Sequence, residues 1–211
     1  MQKLLLAMLS GTYVSLKVFF LTLLFSLPLG LVVSFGRMSK LKVINLPVKA
    51  LMLVIRGTPL ILQLIFIYFA PYYMFKLSYD RFTAAIIAFS INYACYFAEI
   101  YRGGIESIPK GQYEAAKMLG LTKAQTFFRI ILPQVFKRIL PASGNEVITL
   151  VKDTALAQTI GVAELFRAAQ NAASREFSTM PIFIAGAFYF VMNWVVSFAF
   201  SKMEKSLSYY S

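Results

Sequence analysis

GQYEAAKMLGLTKAQTFFRIILP, residues 111–133, is the one long polar stretch in an otherwise apolar chain. Glu114, Ala115 and Ala116 come first, Gly120 follows, and Ile130, Leu132 and Pro133 close it. Local chemistry predicts two short helices meeting at a corner. The first runs from about Gln112 to Leu119 and stops at Gly120, the residue that takes a left-handed C-terminal cap at least cost. The second starts at Thr122, with Gln125 three residues on, the spacing of a capping box. Alanines in the middle of the first helix let another surface approach its backbone. A helix so short is marginal alone and needs something to dock on. The plainer reading is a helical loop between two membrane spans.

The chain around this stretch is that of a membrane protein. Of 211 residues 59% are hydrophobic, and 20 are Phe, too apolar for an ordinary soluble domain. In a soluble protein a net charge of +12 would suggest nucleic acid; here the basic residues are tested first against the positive-inside rule, and no nucleic-acid partner is expected. Cys95 is the single cysteine, so an intrachain disulfide is excluded. The absence of histidine excludes imidazole acid–base chemistry and a His-based metal site. No G-x-x-x-x-G-K-[ST] loop is present, so P-loop nucleotide hydrolysis is not expected of this chain. The first apolar run has no small-residue cleavage site and is expected to stay as a span.

Outward from the polar stretch, hydropathy gives four clear spans. Thr12–Phe35 is the first, with a kink expected at Pro28 and Gly30. Residues 1–10 are expected in the interface before it. Arg37, Lys40, Lys42, Lys49 and Arg56, with no acid among them, mark a cytoplasmic segment. Gly57–Phe75 is the second span, ending in an aromatic belt, and Arg81–Tyr101 the third. Ile182–Ser201 is the last. Topology demands one more between the polar loop and the basic C-terminal tail, within Ile131–Val162, although that stretch carries Lys137, Arg138, Glu146, Lys152 and Asp153. A helix so charged cannot face lipid and must turn to the bundle interior or a wet cavity. Residues 160–180 read as an amphipathic helix at the outer surface, with Leu165, Ala168, Ala169 and Ala172 on one side.

Helical spacing groups the intramembrane polar residues. Asn145, Thr149 and Lys152 share one stripe, and Glu146, Thr149 and Asp153 an overlapping one. Asn92, Tyr96 and Glu99 form a third, and Gln63 is the amide of the second span. Glu99 is read as a structural charge pair with Arg102, one turn away, and Arg56, at the same depth. Gln63, Asn92, Tyr96, Asn145, Glu146, Thr149, Lys152 and Asp153 are read as a substrate path; mutual satisfaction across helices is the alternative. Ala84 and Ala88 have the small-xxx-small spacing of a helix contact.

Glu114-Ala115-Ala116…Gly120, nine residues, then Ile130-x-Leu132-Pro133 resembles the signature loop of permease subunits of bacterial ATP-binding-cassette importers. Residues 56–60 (RGTPL), 98–105 (AEIYRGGI), 144–146 (GNE) and 152–154 (KDT) add a resemblance to the polar amino-acid uptake family, over nearly the whole chain. Ala155 departs from it, where serine is more usual. The resemblance implies an all-α membrane protein with a type I importer permease fold and five transmembrane helices. It implies one domain, residues 1–211, in the bacterial inner membrane, with the coupling-helix loop at about 106–128. The basic-residue distribution puts the N-terminus outside and the C-terminus in the cytoplasm. Glu114, Ala115, Ala116 and Gly120 would form the coupling helix that sits in a groove of the ATPase. The implied partners are a dimer of ATPase subunits, a second permease subunit (identical or homologous), an extracytoplasmic solute-binding protein and an amino-acid substrate. No cofactor is expected on this chain, and ATP with its magnesium belongs to the ATPase. The competing readings are an ion-driven carrier, which usually has internal repeats that are not seen here, and a membrane scaffold, which has no need of a charged span.

Overall fold

The computed structural model describes residues 2–207, and among them every regular element is helical. α1 (Gln2–Met38) runs unbroken through Pro28. The residues expected in the interface are thus the first turns of the same helix as the first span. Leu4 and Met8 are buried against Leu165, Ala169, Ala172 and Ala185, so the first turns of α1 have a protein surface to continue on.

α2 (Lys42–Gly57) and α3 (Leu60–Phe75) are joined at Thr58–Pro59 with a bend of 110°. Pro59 disfavours helical backbone at Thr58, which is extended, with φ −118° and ψ 146°. The helix of the second span therefore begins at Leu60, not at Gly57, and the basic segment before it is itself helical. Asn45 fixes the preceding corner, its side-chain amide donating to the Arg37 and Ser39 carbonyls.

α4 (Arg81–Glu106) starts at Asp80, whose carboxylate accepts from the Thr83 N–H, and runs past the expected end at Tyr101. α5 (Lys110–Met118) and the single turn α6 (Lys123–Gln125) make the polar corner. A π-helical segment, Thr126–Ile131, leads into α7 (Leu132–Asp153), followed by a 3₁₀ segment, Thr154–Ile160. α8 (Leu165–Glu176) and α9 (Met180–Leu207) complete the chain. α1, α4 and α9 are each long and apolar enough to cross a membrane, and the bent α2–α3 pair is a fourth candidate. α7 is 22 residues long, but its charges keep it out of that set.

The core is the contact between α1 and α4. Thr22, Ser26, Gly30 and Ser34 line the buried side of α1, and Ala84, Ala85, Ala88, Ala94 and Ala98 that of α4, while Gly11 and Ser15 of α1 meet Glu164 and Leu165 at the start of α8. Inside a membrane apolar burial does not drive helices together, so close backbone approach must. Gly30 shows how close: a β-carbon there would lie 3.1 Å from the Ala94 carbonyl oxygen. Ala84 and Ala88 are fully buried in this seam. The sequence reading paired the two alanines but passed over the longer stripe on α1.

Candidate functional site

The polar corner has the local structure its chemistry predicts. α5 ends at Met118 with Leu119 as its cap, and Gly120 follows with φ +74° in open space, so only its backbone conformation restricts substitution. The Thr122 side chain accepts from the Gln125 N–H (3.2 Å) while the Gln125 side chain accepts from the Thr122 N–H (2.9 Å), a complete capping box. Glu114, Ala115 and Gly120 are exposed, and so are Met118 (88%) and Leu119 (77%). Ala116 is buried and faces its own protein, so of the four residues expected to meet an ATPase it is the one that holds the helix down. Arg138 of α7 donates to the Ser107 carbonyl and hydroxyl, and Gln134 to Gln112 (3.3 Å), tying the corner to α7.

The π-helical turn beneath the corner was not expected. Leu132 N–H donates to the Phe127 carbonyl, five residues back. In an unbroken α-helix the Pro133 ring would meet the Arg129 carbonyl, and the wider turn relieves that clash. The motif positions Ile130, Leu132 and Pro133 thus sit at a change of helical pitch.

Gln63 and Asn92 are brought together. The Asn92 amide donates to Gln63 Oε1 (2.9 Å), and Gln63 Nε2 donates to the Ile55 carbonyl (2.7 Å) and to Thr58. Both residues are buried. Their polarity is spent on closing the α2–α3 break, whose carbonyls have no helical partner. Glu99 accepts from two nitrogens of Arg102 and lies 3.9 Å from Arg56. Arg56 in turn sits over the Tyr96 ring, 5.3 Å from its centroid. Glu99, Arg56 and Tyr96, with Arg37 and Lys49, line a cavity of about 500 Å³.

α7 separates its two polar stripes. Val135, Leu140, Gly144, Val147, Leu150 and Val151 are buried, while Asn145, Thr149 and Lys152 are exposed on the far side. Glu146 and Asp153 lie at the edge between, half-buried. The Tyr93 hydroxyl of α4 donates to Asp153 Oδ2 at 2.8 Å. The expected path therefore divides into an open face (Asn145, Thr149, Lys152, bordered by Glu146), the pair Tyr93–Asp153, and the buried pair Gln63–Asn92.

Glu164 escaped the sequence reading. It is fully buried at the N-cap of α8, accepting from the Phe166 and Arg167 N–H groups (2.8 and 2.7 Å), the Tyr189 hydroxyl (2.8 Å) and the Ser15 hydroxyl (3.3 Å). One carboxylate thus binds α1, α8 and α9. Its signal in sequence is weak, because Glu is not a favoured N-cap residue.

Comparison with known proteins supplies the family. Residues 26–209 match the binding-protein-dependent transport system inner membrane component family. The chain is 40% identical to the L-cystine transport system permease protein TcyB of Bacillus subtilis, over 92% of this chain and 82% of that one. It is 36% identical to the arginine transport system permease protein ArtQ of the same organism (94% and 91% covered) and 39% identical to the glutamine transport system permease protein GlnP of Escherichia coli (95% and 92%). A chain in the crystal structure of an amino acid ABC transporter with histidines superposes with a TM-score of 0.90 at 39% identity, covering 98% of this chain and 96% of that one. The inward-facing MetNI methionine ABC transporter shares the fold, with a TM-score of 0.79 at 18% identity and 98% and 99% covered. This chain belongs to the inner-membrane permease subunits of binding-protein-dependent ABC transport systems, and it is a multi-pass membrane protein with their type I importer fold.

Proposed function

We propose that this chain imports a polar amino acid, with the outward polar face of α7 as one wall of the path. The observation that carries the reading is that Asn145, Thr149 and Lys152 are exposed on a helix packed among apolar spans. Lipid cannot cover such a face. A second permease subunit, identical or homologous, can, and the path then runs between the two copies. Tyr96, Glu146 and Asp153 border it, while Gln63 and Asn92 hold the helix break behind it. α7 then counts as the fifth span, with the N-terminus outside and the α5 corner in the cytoplasm. This chain hydrolyses nothing and carries no cofactor of its own. ATP and magnesium sit on a pair of ATPase subunits that receive the exposed α5. A solute-binding protein delivers the amino acid from outside, with the outer face of α8 and the exposed Phe177 (97%) in its way.

Charge favours a zwitterionic or cationic substrate. Glu99 is matched by Arg102 and Arg56, which leaves the carboxylates Glu146 and Asp153 against the Lys152 ammonium. An intramembrane excess of carboxylate favours a ligand that brings ammonium groups. The relatives named for cystine, arginine and glutamine transport agree with this preference. The test is uptake into proteoliposomes with and without the ATPase, with arginine, glutamine, cystine and glutamate as competitors, repeated in Glu146→Gln. Uptake should require the ATPase, and glutamate should compete worst. Uptake without the ATPase contradicts the ATP-driven reading, and best competition by glutamate contradicts the charge argument.

A further inference from the structure

Among the charged groups lining the cavity between α1, α2 and α4 cations predominate, and Tyr96, which borders the proposed path, is one part of its wall. Lys42, Lys49 and Arg56 recur at seven-residue intervals and form one line along α2. Val48, Met52 and Ile55, on the neighbouring face, pack against Val33, Cys95 and Ala98. The remaining surface of α2 is apolar and uncovered: Val43 is 86% exposed, Leu46 67% and Leu53 75%. A helix with a basic stripe between a packed face and a bare apolar one is suited to lie in a membrane interface. Arg37, from the last turn of α1, adds a third cation to Lys49 and Arg56 around the cavity, and Glu99 is the one carboxylate in its lining. Glu99 pairs with Arg102 and lies 3.9 Å from Arg56, and Arg102 also pairs with Glu106, so the four cations in and beside the cavity still exceed the two carboxylates by two. No Asp or Glu occurs from residue 37 to 57.

We propose that this cavity binds the phosphate headgroup of an anionic phospholipid of the cytoplasmic leaflet, with the acyl chains lying along α2. Leu53 lines the cavity beside the cations, so a ligand that joins a phosphate to an apolar chain uses both parts of the wall. A free anion would leave Leu53 bare. The depth fits as well. α2 packs beside Ala98 of α4, eight residues before Glu106, which is about 12 Å along the helix. That is about one turn inside the expected end of the third span at Tyr101, the end nearer the exposed α5. The choice of leaflet rests on the reading that the α5 corner is cytoplasmic.

The test is a lipid titration of the purified full chain in detergent, read as bound lipid by native mass spectrometry. Phosphatidylglycerol and phosphatidylcholine with the same acyl chains are compared in the unmutated chain and in Lys49→Gln, Arg37→Gln and Lys3→Gln. Lys49 is exposed, so its replacement leaves the packing intact. Phosphatidylglycerol should bind more tightly than phosphatidylcholine, the first two variants should each lose about fivefold for that lipid, and Lys3→Gln should lose nothing. Equal binding of the two lipids, or an unchanged Lys49→Gln, overturns the proposal. So does displacement of phosphatidylglycerol by inorganic phosphate at matched concentration, which would make the cavity a soluble-anion site. Detergent has no sides, so a reversed topology leaves this titration unchanged and is detected separately by cysteine labelling in cells.

Discussion

At the residue scale, several buried polar side chains act in small closed sets, while the Thr22, Ser26, Ser34 and Ser90 hydroxyls have no hydrogen-bond partner among the described residues. Glu164 is the clearest: four donors from three elements meet on one carboxylate. Glu164→Ala removes the cap of α8 and takes away an acceptor of the Tyr189 and Ser15 hydroxyls, a loss on the order of 2 kcal/mol or more. The thermal unfolding midpoint of the detergent-purified chain should fall clearly, and Glu164→Gln, which keeps an acceptor oxygen, should fall less. Equal midpoints for Glu164→Ala and the unmutated chain would contradict the account. Residue types that stand out in an apolar chain were legible beforehand, because charge in a membrane is rare. What they do there was less legible. Gln63 and Asn92 were read as path residues because nothing in the sequence says that a proline-broken helix needs two amides to close it. Glu164 was passed over because its partners, Ser15 and Tyr189, come from opposite ends of the chain.

At the scale of the element, signals that depend on neighbours in sequence were legible and those that depend on neighbours in space were not. The α5–α6 corner could be read from Gly120 and from Thr122 with Gln125, since capping is local chemistry. The π-helical turn at Thr126–Ile131 could not, because Pro133 is also acceptable in the first turn of an α-helix. The basic segment of α2 was read for its side of the membrane and not for its structure, because its packed helical face shows only once α1 and α4 lie against it. The exposed surface of α5 carries a direct prediction. Glu114→Lys reverses a charge on the docking face, and Gly120→Trp puts a β-carbon and bulk where φ is +74°. Loss of a charged partner at such an interface costs on the order of 2 kcal/mol or more. Both variants should remain in the membrane, fail to co-purify with the ATPase and lose ATP-driven uptake. Normal uptake in both would remove α5 from the coupling role.

At the scale of the whole molecule, the span count came from hydropathy together with a parity argument, and α7 shows why hydropathy alone falls short. A helix whose polar side is meant for another subunit looks, in one chain, too charged to cross. The distribution of Lys and Arg sets the sides. In intact cells, after Cys95 is replaced, an external thiol reagent should fail to label a cysteine placed at Lys117, and labelling there would reverse the topology. The central claim, that the open face of α7 lines a water-filled path, is tested most directly by Thr149→Cys in the same background, assembled with the ATPase in proteoliposomes. The measurement is its rate of reaction with a membrane-impermeant thiol reagent, compared with Phe190→Cys on the exposed side of α9. The account predicts that Thr149→Cys reacts, that substrate amino acid slows the reaction, and that Phe190→Cys stays unreactive. A Thr149→Cys protein that still transports but reacts no faster than Phe190→Cys would contradict it.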